Sequence, residues 1–280
     1  MDGWIEGIQR AIDYMESHID EDMDIRDIAA CSHVSAFHFQ RIFGVLCGIT
    51  VGEYLRNRRL TLAAQALTKG ETKVIDAAVR FGYDSPDSFA RAFTRFHGIS
   101  PSAATKKGAA LQAYAPLHIK LSLEGGNMLE YRIAEKAAFT VMGVSRRFDM
   151  ETSFAEIPKF WDEHKQSEAG KTICGMFGLC LDDGDGQDFT YMIADNYIPW
   201  DEIPDGCTTH TVPAGTWAIF PCKGALPDSL QSVNQRVWSE WLPNCKEYKL
   251  KGQYNVEMYD KPTEDPNDYY CEIWVPIEKM

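Results

Sequence analysis

Residues 27–50 read DIAACSHVSAFHFQRIFGVLCGIT, and residues 76–100 repeat the pattern as DAAVRFGYDSPDSFARAFTRFHGIS. The two stretches share a serine, two phenylalanines and a closing glycine at matching positions, namely Ser35, Phe39, Phe43 and Gly48 in the first and Ser85, Phe89, Phe93 and Gly98 in the second. An internal repeat of this length indicates two copies of one supersecondary unit. Each copy is typical of a helix, a short turn and a second helix.

The second helix of each copy has clear start and stop signals. Ser35 and Ser85 are suited to cap the first turn, because a serine oxygen accepts a hydrogen bond from a helix N–H group that has no other partner. The phenylalanines recur at helical spacing and predict one buried face. Gly48 and Gly98 suit the left-handed position that ends a helix.

A third helix is predicted over 51–68, between the two copies, with Arg56, Arg58 and Arg59 on its exposed face. At 1.5 Å per residue this helix would span roughly 27 Å. A rigid spacer of that length would place two reading helices about one turn of B-DNA apart. A plain helical hairpin is the alternative for a single copy, but two phased copies make it a poor explanation.

The net charge of −13 argues by itself against a nucleic-acid partner, but the charge is unevenly distributed. Residues 28–107 carry eleven Lys and Arg against five Asp and Glu, a net charge of +6, and both flanks are acidic. A basic segment between acidic flanks is expected where only that segment approaches phosphate. Uneven surface charge without any partner remains the alternative.

Residues 4–105 resemble the DNA-binding domain of the AraC/XylS family of transcription regulators, down to the ending Phe93-x-x-x-x-Gly98-Ile99-Ser100-Pro101. The resemblance implies an all-α domain in which the second helix of each unit enters the major groove. It places base-facing side chains on both reader helices: Ala36, Phe37, Gln40 and Arg41 on the exposed face of the first, and Pro86, Asp87, Ser88 and Arg91 on the second. Phosphate contacts are expected from Lys73, Arg95 and the spacer arginines 56, 58 and 59.

The second unit departs from this pattern. Arginine pairs with guanine and glutamine with adenine, whereas Pro86 and Asp87 are poor base readers. We therefore expect the first unit to carry most of the sequence specificity. Arg41 and Arg91 could instead be surface ion-pair residues.

The C-terminal half has a different composition, with six of the seven tryptophans beyond the basic segment. Strand-like alternation covers 118–124, 139–144, 176–181, 189–194, 217–220, 254–259 and 270–276, with helices predicted over 153–167 and 229–242. The order is a strand-helix-strand-strand unit that occurs twice, which predicts an α+β domain with a two-fold-like pair of small sheets. We expect a DNA-binding domain at 1–107, a hinge and lead-in strand at 108–127, and an effector-binding domain at 128–280.

This half resembles the GyrI-like, SHS2-type effector-binding domains of multidrug-sensing regulators. The matching stretches are 212–220 (VPAGTWAIF), 238–243 (WSEWLP), 256–259 (VEMY) and 271–276 (CEIWVP). The resemblance implies that an acidic residue within an aromatic cage binds organic cations or other lipophilic molecules.

Glu272 is the first candidate for that acidic residue, because Tyr270, Glu272 and Trp274 share one face of a strand. A carboxylate between two aromatic rings offers charge neutralisation and cation–π contact to a bulky cation. Further candidates for the site are Glu257, Tyr259, Trp217 and Phe148. A carboxylate that is solvated or paired with an arginine is the alternative for Glu272.

These features together predict a transcription regulator that binds promoter DNA and a small lipophilic or cationic effector, and the family resemblance implies an activator with RNA polymerase as a further partner. We expect no cofactor, no metal and no enzymatic activity. A constitutive DNA-binder with a protein-contacting C-terminal domain is one alternative, and a hydrolase with Glu272 as general base is another. The acidic first residues, unlike a secretion signal, predict a cytoplasmic protein without a membrane partner and with its eight cysteines reduced.

Overall fold

Helices dominate the first half of the chain, and an antiparallel sheet dominates the second. The computed structural model describes residues 4–106, 108–119, 128–182, 188–199, 202–252, 254–261 and 263–280. The chain forms two units, one from Met1–His33 and Ile49–Leu121 and the other from Val34–Gly48 and Ser122–Met280. Of the expected hinge and lead-in strand, residues 108–119 have no regular secondary structure, and 120–127 lie outside the described residues.

The helices of the N-terminal half follow the repeat. They are α1 (Trp4–Ser17), α2 (Ile25–Ala30), α3 (Ala36–Cys47), α4 (Val51–Lys69), α5 (Val74–Arg80), α6 (Pro86–His97) and α7 (Pro101–Ala104). All of them except α3 belong to the first unit. The core of this unit is made of leucine, alanine and phenylalanine side chains from α4, α5, α6 and α7, with Phe89 and Phe93 fully buried.

The predicted ends of the two reader helices are confirmed. Ser35 Oγ accepts from the His38 N–H, and Ser85 Oγ accepts from the Ser88 N–H. Gly48 and Gly98 end α3 and α6 in the left-handed conformation, with φ of 69° and 75°. Other residues adopt this conformation only with strain, which is why glycine stands at both positions.

The spacer helix α4 is confirmed, but the expectation that Arg58 lies on its exposed face is wrong. Arg58 is 6% exposed, and its Nη2 lies 2.7 Å from Glu16 Oε2 of α1. Arg59 also turns inward, since it donates to the carbonyl oxygen of Ile19 at 2.8 Å. Arg56 remains exposed. The cause is that Glu16 of α1 supplies the acceptor for Arg58, and the carbonyl oxygens of Ile19 and Glu21, which follow α1, supply those for Arg59.

The second unit contains the helix α3 and the C-terminal α+β domain. Its strands are β1 (Arg132–Lys136), β2 (Phe139–Asp149), β3 (Phe177–Asp182), β4 (Asp188–Asn196), β5 (Thr208–Val212), β6 (Gly215–Lys223), β7 (Tyr248–Leu250), β8 (Tyr254–Tyr259) and β9 (Tyr270–Lys279). Its other helices are α8 (Ser153–Gln166), α9 (Asp228–Arg236), a π-helical turn at Val237–Trp241, and α10 (Leu242–Asn244). Short 3₁₀ turns lie at Ala169–Lys171 and Pro266–Asp268.

The predicted strand-helix-strand-strand repeat is confirmed as β2-α8-β3-β4 and β6-α9-β8-β9. The expected pair of small sheets is wrong, because β3 of the first repeat and β8 of the second pair with each other. The described strands therefore form one sheet in the order β1-β6-β9-β8-β3-β4-β2-β5, with β7 beside β9. In the central pair, Gly178 lies opposite Glu257.

The two faces of the sheet carry separate apolar clusters, since neighbouring strand residues point to opposite sides. The first cluster contains Val141, Phe177, Leu179, Met192, Ala194, Val212, Trp217, Ile219, Val256 and Trp274. The second contains Phe37, Phe148, Met150, Phe160, Cys180, Phe189, Tyr191 and Ile193. We call the side of the second cluster the helix face, because Phe160 of α8 and Phe37 of α3 pack there.

Candidate functional site

The seven ligand candidates from the sequence lie on opposite faces of the sheet. Trp217 and Trp274 belong to the first apolar cluster, and strand alternation puts Tyr270 and Glu272 on the same side as Trp274. Phe148 belongs to the cluster on the helix face. Val256 and Met258 of β8 belong to the first apolar cluster. Because neighbouring strand residues point to opposite sides, Glu257 and Tyr259 point to the helix face. The structure therefore offers two carboxylate sites.

The Glu272 site is closed by its own neighbours. Glu272 is 3% exposed. Its Oε1 accepts from Arg132 Nη2 at 2.7 Å and from the Tyr270 hydroxyl at 2.6 Å, and its Oε2 accepts from Trp274 Nε1 at 2.6 Å. Burial raises the pKa of Glu272, but these hydrogen bonds outweigh burial and lower it overall. The carboxylate is thus ionised, neutralised by Arg132 and supplied with donors on both oxygens.

The Glu257 site has a different composition. Glu257 Oε2 accepts from the Tyr191 hydroxyl at 3.0 Å and from the Tyr259 hydroxyl at 2.8 Å. Trp161 of α8 donates its Nε1–H to the Tyr191 oxygen at 3.0 Å, and its ring meets that of Tyr259 edge-on at 5.2 Å. We call these four residues the Glu257 cage. No side chain among the described residues forms an ion pair with Glu257 at contact distance.

The two tyrosines of the cage are fixed as hydrogen-bond donors. Burial raises the pKa of Tyr191 and of Tyr259 well above the usual value for tyrosine, and the nearby Glu257 charge raises both further. Both hydroxyls therefore stay protonated at neutral pH and point their hydrogens at the carboxylate. Their aromatic rings and that of Trp161 leave an apolar wall around a single negative charge.

A glycine makes room for the cage. A Cβ atom on Gly178 would lie 2.1 Å from the Tyr191 hydroxyl oxygen, so no larger residue fits there without moving that tyrosine. Gly178, Tyr191 and Trp161 were not predicted as site residues from the sequence. Strand alternation could have found Tyr191, because Phe189, Tyr191 and Ile193 share one face of β4.

The first reader helix, α3, packs on this same face of the sheet. Phe37 is fully buried, and its ring lies 5.9 Å from that of Phe189. The expectation that Phe37 is exposed is wrong, because it is part of the apolar cluster of the helix face. Ala36, Gln40 and Arg41 are each partly exposed.

Arg41 reaches from α3 to the middle of the sheet. Its Nη1 lies 2.9 Å from Cys180 Sγ on β3, and its guanidinium lies 5.7 Å from the centre of the Phe37 ring. Burial lowers the pKa of Arg41, but Cys180, Glu257 and Tyr191 together raise it overall. Burial raises the pKa of the Cys180 thiol to about 12. Arg41 is therefore a charged donor to a neutral thiol, within the electrostatic reach of Glu257.

The second reader helix, α6, presents its polar side to solvent. Pro86, Asp87, Arg91 and Arg95 are exposed, and Ser88 is partly exposed. The Ser88 hydroxyl donates to the Ser85 carbonyl oxygen at 2.8 Å and so belongs to the helix cap. Lys73, before α5, is also exposed. These positions leave the predicted DNA-facing side of α6 uncovered.

Other features of the described residues offer little chemistry. A surface cavity of about 460 Å³ includes no member of the Glu257 cage and neither Glu272 nor Arg132 in its lining. It is lined by Leu129, Tyr131, Ile133, Trp241, Asn244, Cys245, Tyr248 and the charged residues Glu240, Lys246 and Glu247.

No group of three or more His, Cys, Asp or Glu side chains in the described ranges is placed to hold a metal ion. No helix in those ranges is long and apolar enough to span a membrane. All eight cysteines are free thiols.

Comparisons with known proteins agree with this architecture. A helix-turn-helix domain family matches residues 28–107. The chain is 25% identical over 288 residues to the transcriptional regulator Rob of Salmonella typhimurium (strain LT2), a match that covers 95% of this chain and 96% of that protein. It is 37% identical over 98 residues to the HTH-type transcriptional regulator YbfP of Bacillus subtilis (strain 168), covering 35% of this chain and only 33% of YbfP.

A solved structure of SAV2435 bound to tetraphenylphosphonium is similar to part of the chain, with 22% identity, a TM-score of 0.48, and coverage of 54% of this chain and 94% of that one. The integron-associated effector-binding protein family matches residues 132–277, which is more than half of the chain. The chain therefore belongs to this effector-binding family, and it is an AraC-type DNA-binding transcription regulator in which the effector-binding domain follows the helix-turn-helix domain.

Proposed function

We propose that the effector of this regulator is a bulky organic cation, and that it binds at the Glu257 cage. One observation carries the proposal: the Glu257 carboxylate is held by two tyrosine hydroxyls and surrounded by aromatic rings, and among the described residues it has no cationic partner at contact distance. Glu257 is only partly exposed, so a cation that enters the cage would replace the hydration that its carboxylate lacks with a direct ion pair. The aromatic walls add cation–π and apolar contact.

The Glu272 site supports a structural role instead. A cation would have to displace Arg132 from Glu272, and the carboxylate would lose an ion pair to gain another. The same geometry opposes a hydrolase with Glu272 as general base, because its pKa is lowered and both oxygens already accept hydrogen bonds. We therefore propose that Glu272, Tyr270, Trp274 and Trp217 stabilise the sheet and that the protein is not an enzyme.

On DNA, we propose that α6 and α3 are the two reading helices. Arg91 and Gln40 are the side chains best suited to base edges in their respective helices, together with Arg41. Arg95, Lys73 and Arg56 are exposed and suited to phosphates, whereas Arg58 pairs with Glu16 of α1 and Arg59 donates to the Ile19 carbonyl oxygen after that helix. The resemblance to AraC-type regulators supports activation through RNA polymerase in the cytoplasm.

The test is a calorimetric titration of the full-length chain with tetraphenylphosphonium, a lipophilic cation without hydrogen-bonding groups. We expect saturable binding that weakens by a factor of roughly ten or more in Glu257→Gln, which keeps the shape of the side chain and removes its charge; a factor of ten corresponds to about 1.4 kcal/mol. Glu272→Gln is the matched control and should bind with nearly the affinity of the original chain.

Two results would contradict the proposal. Equal affinities for the original chain and Glu257→Gln would remove this carboxylate from the site. Loss of binding in Glu272→Gln alone, with its fold intact by circular dichroism, would move the site to the opposite face of the sheet. If neither this cation nor a neutral amphiphile bound, a constitutive DNA-binder would be the better description.

A further inference from the structure

The helix face that carries the Glu257 cage is covered in part by the chain itself, through the helix α3, and we call this region of the helix face the cleft. Phe37 is one of the residues of the apolar cluster that also contains Cys180, Phe189 and Tyr191. On its other flank, α3 packs against α9 and the π-helical turn Val237–Trp241, where the His38 ring lies 6.3 Å from that of Trp238. Gly44 lies so close to α8 that a Cβ atom there would be 2.9 Å from the ring of Phe154. The helix is therefore seated between α8 and the second repeat's helix, over the sheet.

The part of α3 nearest the cage has the chemistry of the proposed effector. Arg41 supplies a cation, and its guanidinium lies over the Phe37 ring, which supplies the apolar body. The Arg41 guanidinium donates to Cys180, and the charge of Glu257 acts on it. A lipophilic organic cation would likewise bring an aromatic group and a positive charge to this cleft.

The same two side chains are expected to read DNA. A guanidinium that donates to Cys180 cannot at the same time donate to a guanine edge, and a Phe37 ring buried against Phe189 cannot contact a thymine methyl. The two uses of α3 therefore exclude each other. Any ligand that prefers the form with an empty cleft shifts the population toward the form in which α3 is available.

We propose that α3 acts as an internal ligand of the effector cleft: Phe37 and Arg41 occupy the site of the lipophilic cation, and the effector activates the protein by displacing the first reading helix from its own effector-binding domain. This inference rests on the proposed function for the identity of the competing ligand. It adds that DNA reading and ligand binding are coupled by direct competition for one site.

Docking of α3 leaves one of its polar groups without a hydrogen bond, as expected for a helix that has to dissociate from the cleft. His38 is 2% exposed, and its Nε2 has no hydrogen-bond partner among the described residues. Its Nδ1 lies 3.1 Å from Ser35 Oγ of the same helix. A buried polar atom without a partner opposes docking, because that atom would be hydrated once α3 left the cleft.

The experiment compares tetraphenylphosphonium affinity in the full-length chain and in Arg41→Ala and Phe37→Ala. If α3 competes for the cleft, each variant should bind the cation more tightly, by about tenfold where nine-tenths of the molecules are docked, because the competent fraction rises toward one. Arg26→Ala, which removes an exposed arginine of α2, controls for the change in net charge and should leave the affinity unchanged. Unchanged or weaker binding in both α3 variants, with binding by the original chain, would overturn the inference.

A second measurement tests docking without any ligand. Cys180 is 1% exposed and lies under Arg41, whereas Cys174 is exposed. Alkylation by iodoacetamide, followed by mass spectrometry of each cysteine, should be slow at Cys180 in the original chain and faster in Phe37→Ala and in Gly44→Trp, which forces α3 away from Phe154. Cys222, buried in β6, is the internal control and should stay protected in all of them.

The two measurements separate the two proposals. Protected Cys180 that is released in the variants, together with no cation binding in any protein, would support docking of α3 and reject the organic cation as effector. Cys180 that reacts as fast as Cys174 in the original chain would reject docking, whatever the cation does. Cation binding that depends on Glu257 but not on α3 would keep the effector and reject the competition.

Discussion

The second helices of the two repeated units, α3 and α6, carry an arginine at matching positions, and the structure surrounds these two side chains differently. Arg91 of α6 is exposed on the outside of the first unit. Arg41 of α3 lies within the second unit and donates to Cys180. Both helices have the same serine cap and the same closing glycine.

This comparison shows that a sequence repeat determines the helices it forms more firmly than it determines what those helices pack against. Caps, closing glycines and the helical spacing of phenylalanines act within a few residues, so both copies form the same helix. The second residue of the two helices differs in character. Phe37 of α3 is apolar and packs in an apolar cluster, whereas its counterpart Asp87 of α6 is charged and exposed to solvent. The reading face of α3 thus offers an apolar side chain for burial at a position where α6 offers a charged one.

The largest expected difference between the two helices is in DNA affinity. Measured on DNA selected from a random pool by the full-length chain, Arg91→Ala should weaken binding by roughly 1–3 kcal/mol with or without tetraphenylphosphonium. Arg41→Ala should weaken binding by a similar amount only when the cation is present, because α3 is otherwise docked. Fluorescence anisotropy at a fixed salt concentration measures both. Equal losses for Arg41→Ala in the two conditions would break the comparison.

The next effect concerns pH, because α3 carries His38 where α6 carries Ser88. Burial, and then the Arg41 charge, lower the pKa of His38 from 6.5 to about 4, while Ser35, Phe37 and Trp238 also face its ring. The folded form thus prefers neutral His38, and its stabilisation is complete above pH 6.5 and is lost as the pH falls toward 4. Between pH 7 and pH 5 the loss should be about 2 kcal/mol in the free energy of unfolding.

Urea denaturation followed by tryptophan fluorescence measures this loss at the two pH values. His38→Gln removes the titrating group, and the difference between its pH dependence and that of the original chain isolates the histidine from the carboxylates. A pH dependence that is the same in both proteins would show that His38 is not buried in a neutral form.

The smallest effect should come from the two caps. Ser85→Ala and Ser35→Ala each remove one side-chain acceptor from a helix start and should cost about 1 kcal/mol in the free energy of unfolding. Only Ser35→Ala should also tighten tetraphenylphosphonium binding, because Ser35 is the partner of the docked His38. If both variants changed cation affinity equally, α3 and α6 would not differ in the way described.

Much of the fold follows from patterns that act over short distances along the sequence. The reader helices, their caps, the spacer helix and six of the strands agree with helical spacing, serine and glycine signals and strand alternation. The single sheet was not predictable in this way, because the pairing of β3 with β8 joins residues such as Gly178 and Glu257 that no local signal connects.

The candidate site was predictable in its chemistry and not in its location. The sequence indicated carboxylates beside aromatic residues on both β8 and β9. It gave no sign that Arg132, 140 residues away, pairs with Glu272 and leaves the other carboxylate without such a partner. Likewise, the charge and phenylalanine pattern of α3 is equally compatible with a DNA groove and with a cleft in the same chain.

The pairing of β3 with β8 also bears on how such a domain could arise. The first repeat supplies Gly178, Tyr191 and Trp161, and the second supplies Glu257 and Tyr259. Neither half contains a complete cage, so an ancestral half-domain on its own would have lacked this site. The seam between the two repeats thus has a charge on one side, at Glu257, and a residue without a side chain on the other, at Gly178. The complete cage is thus a property of the two repeats joined in one sheet, and neither repeat carries it alone.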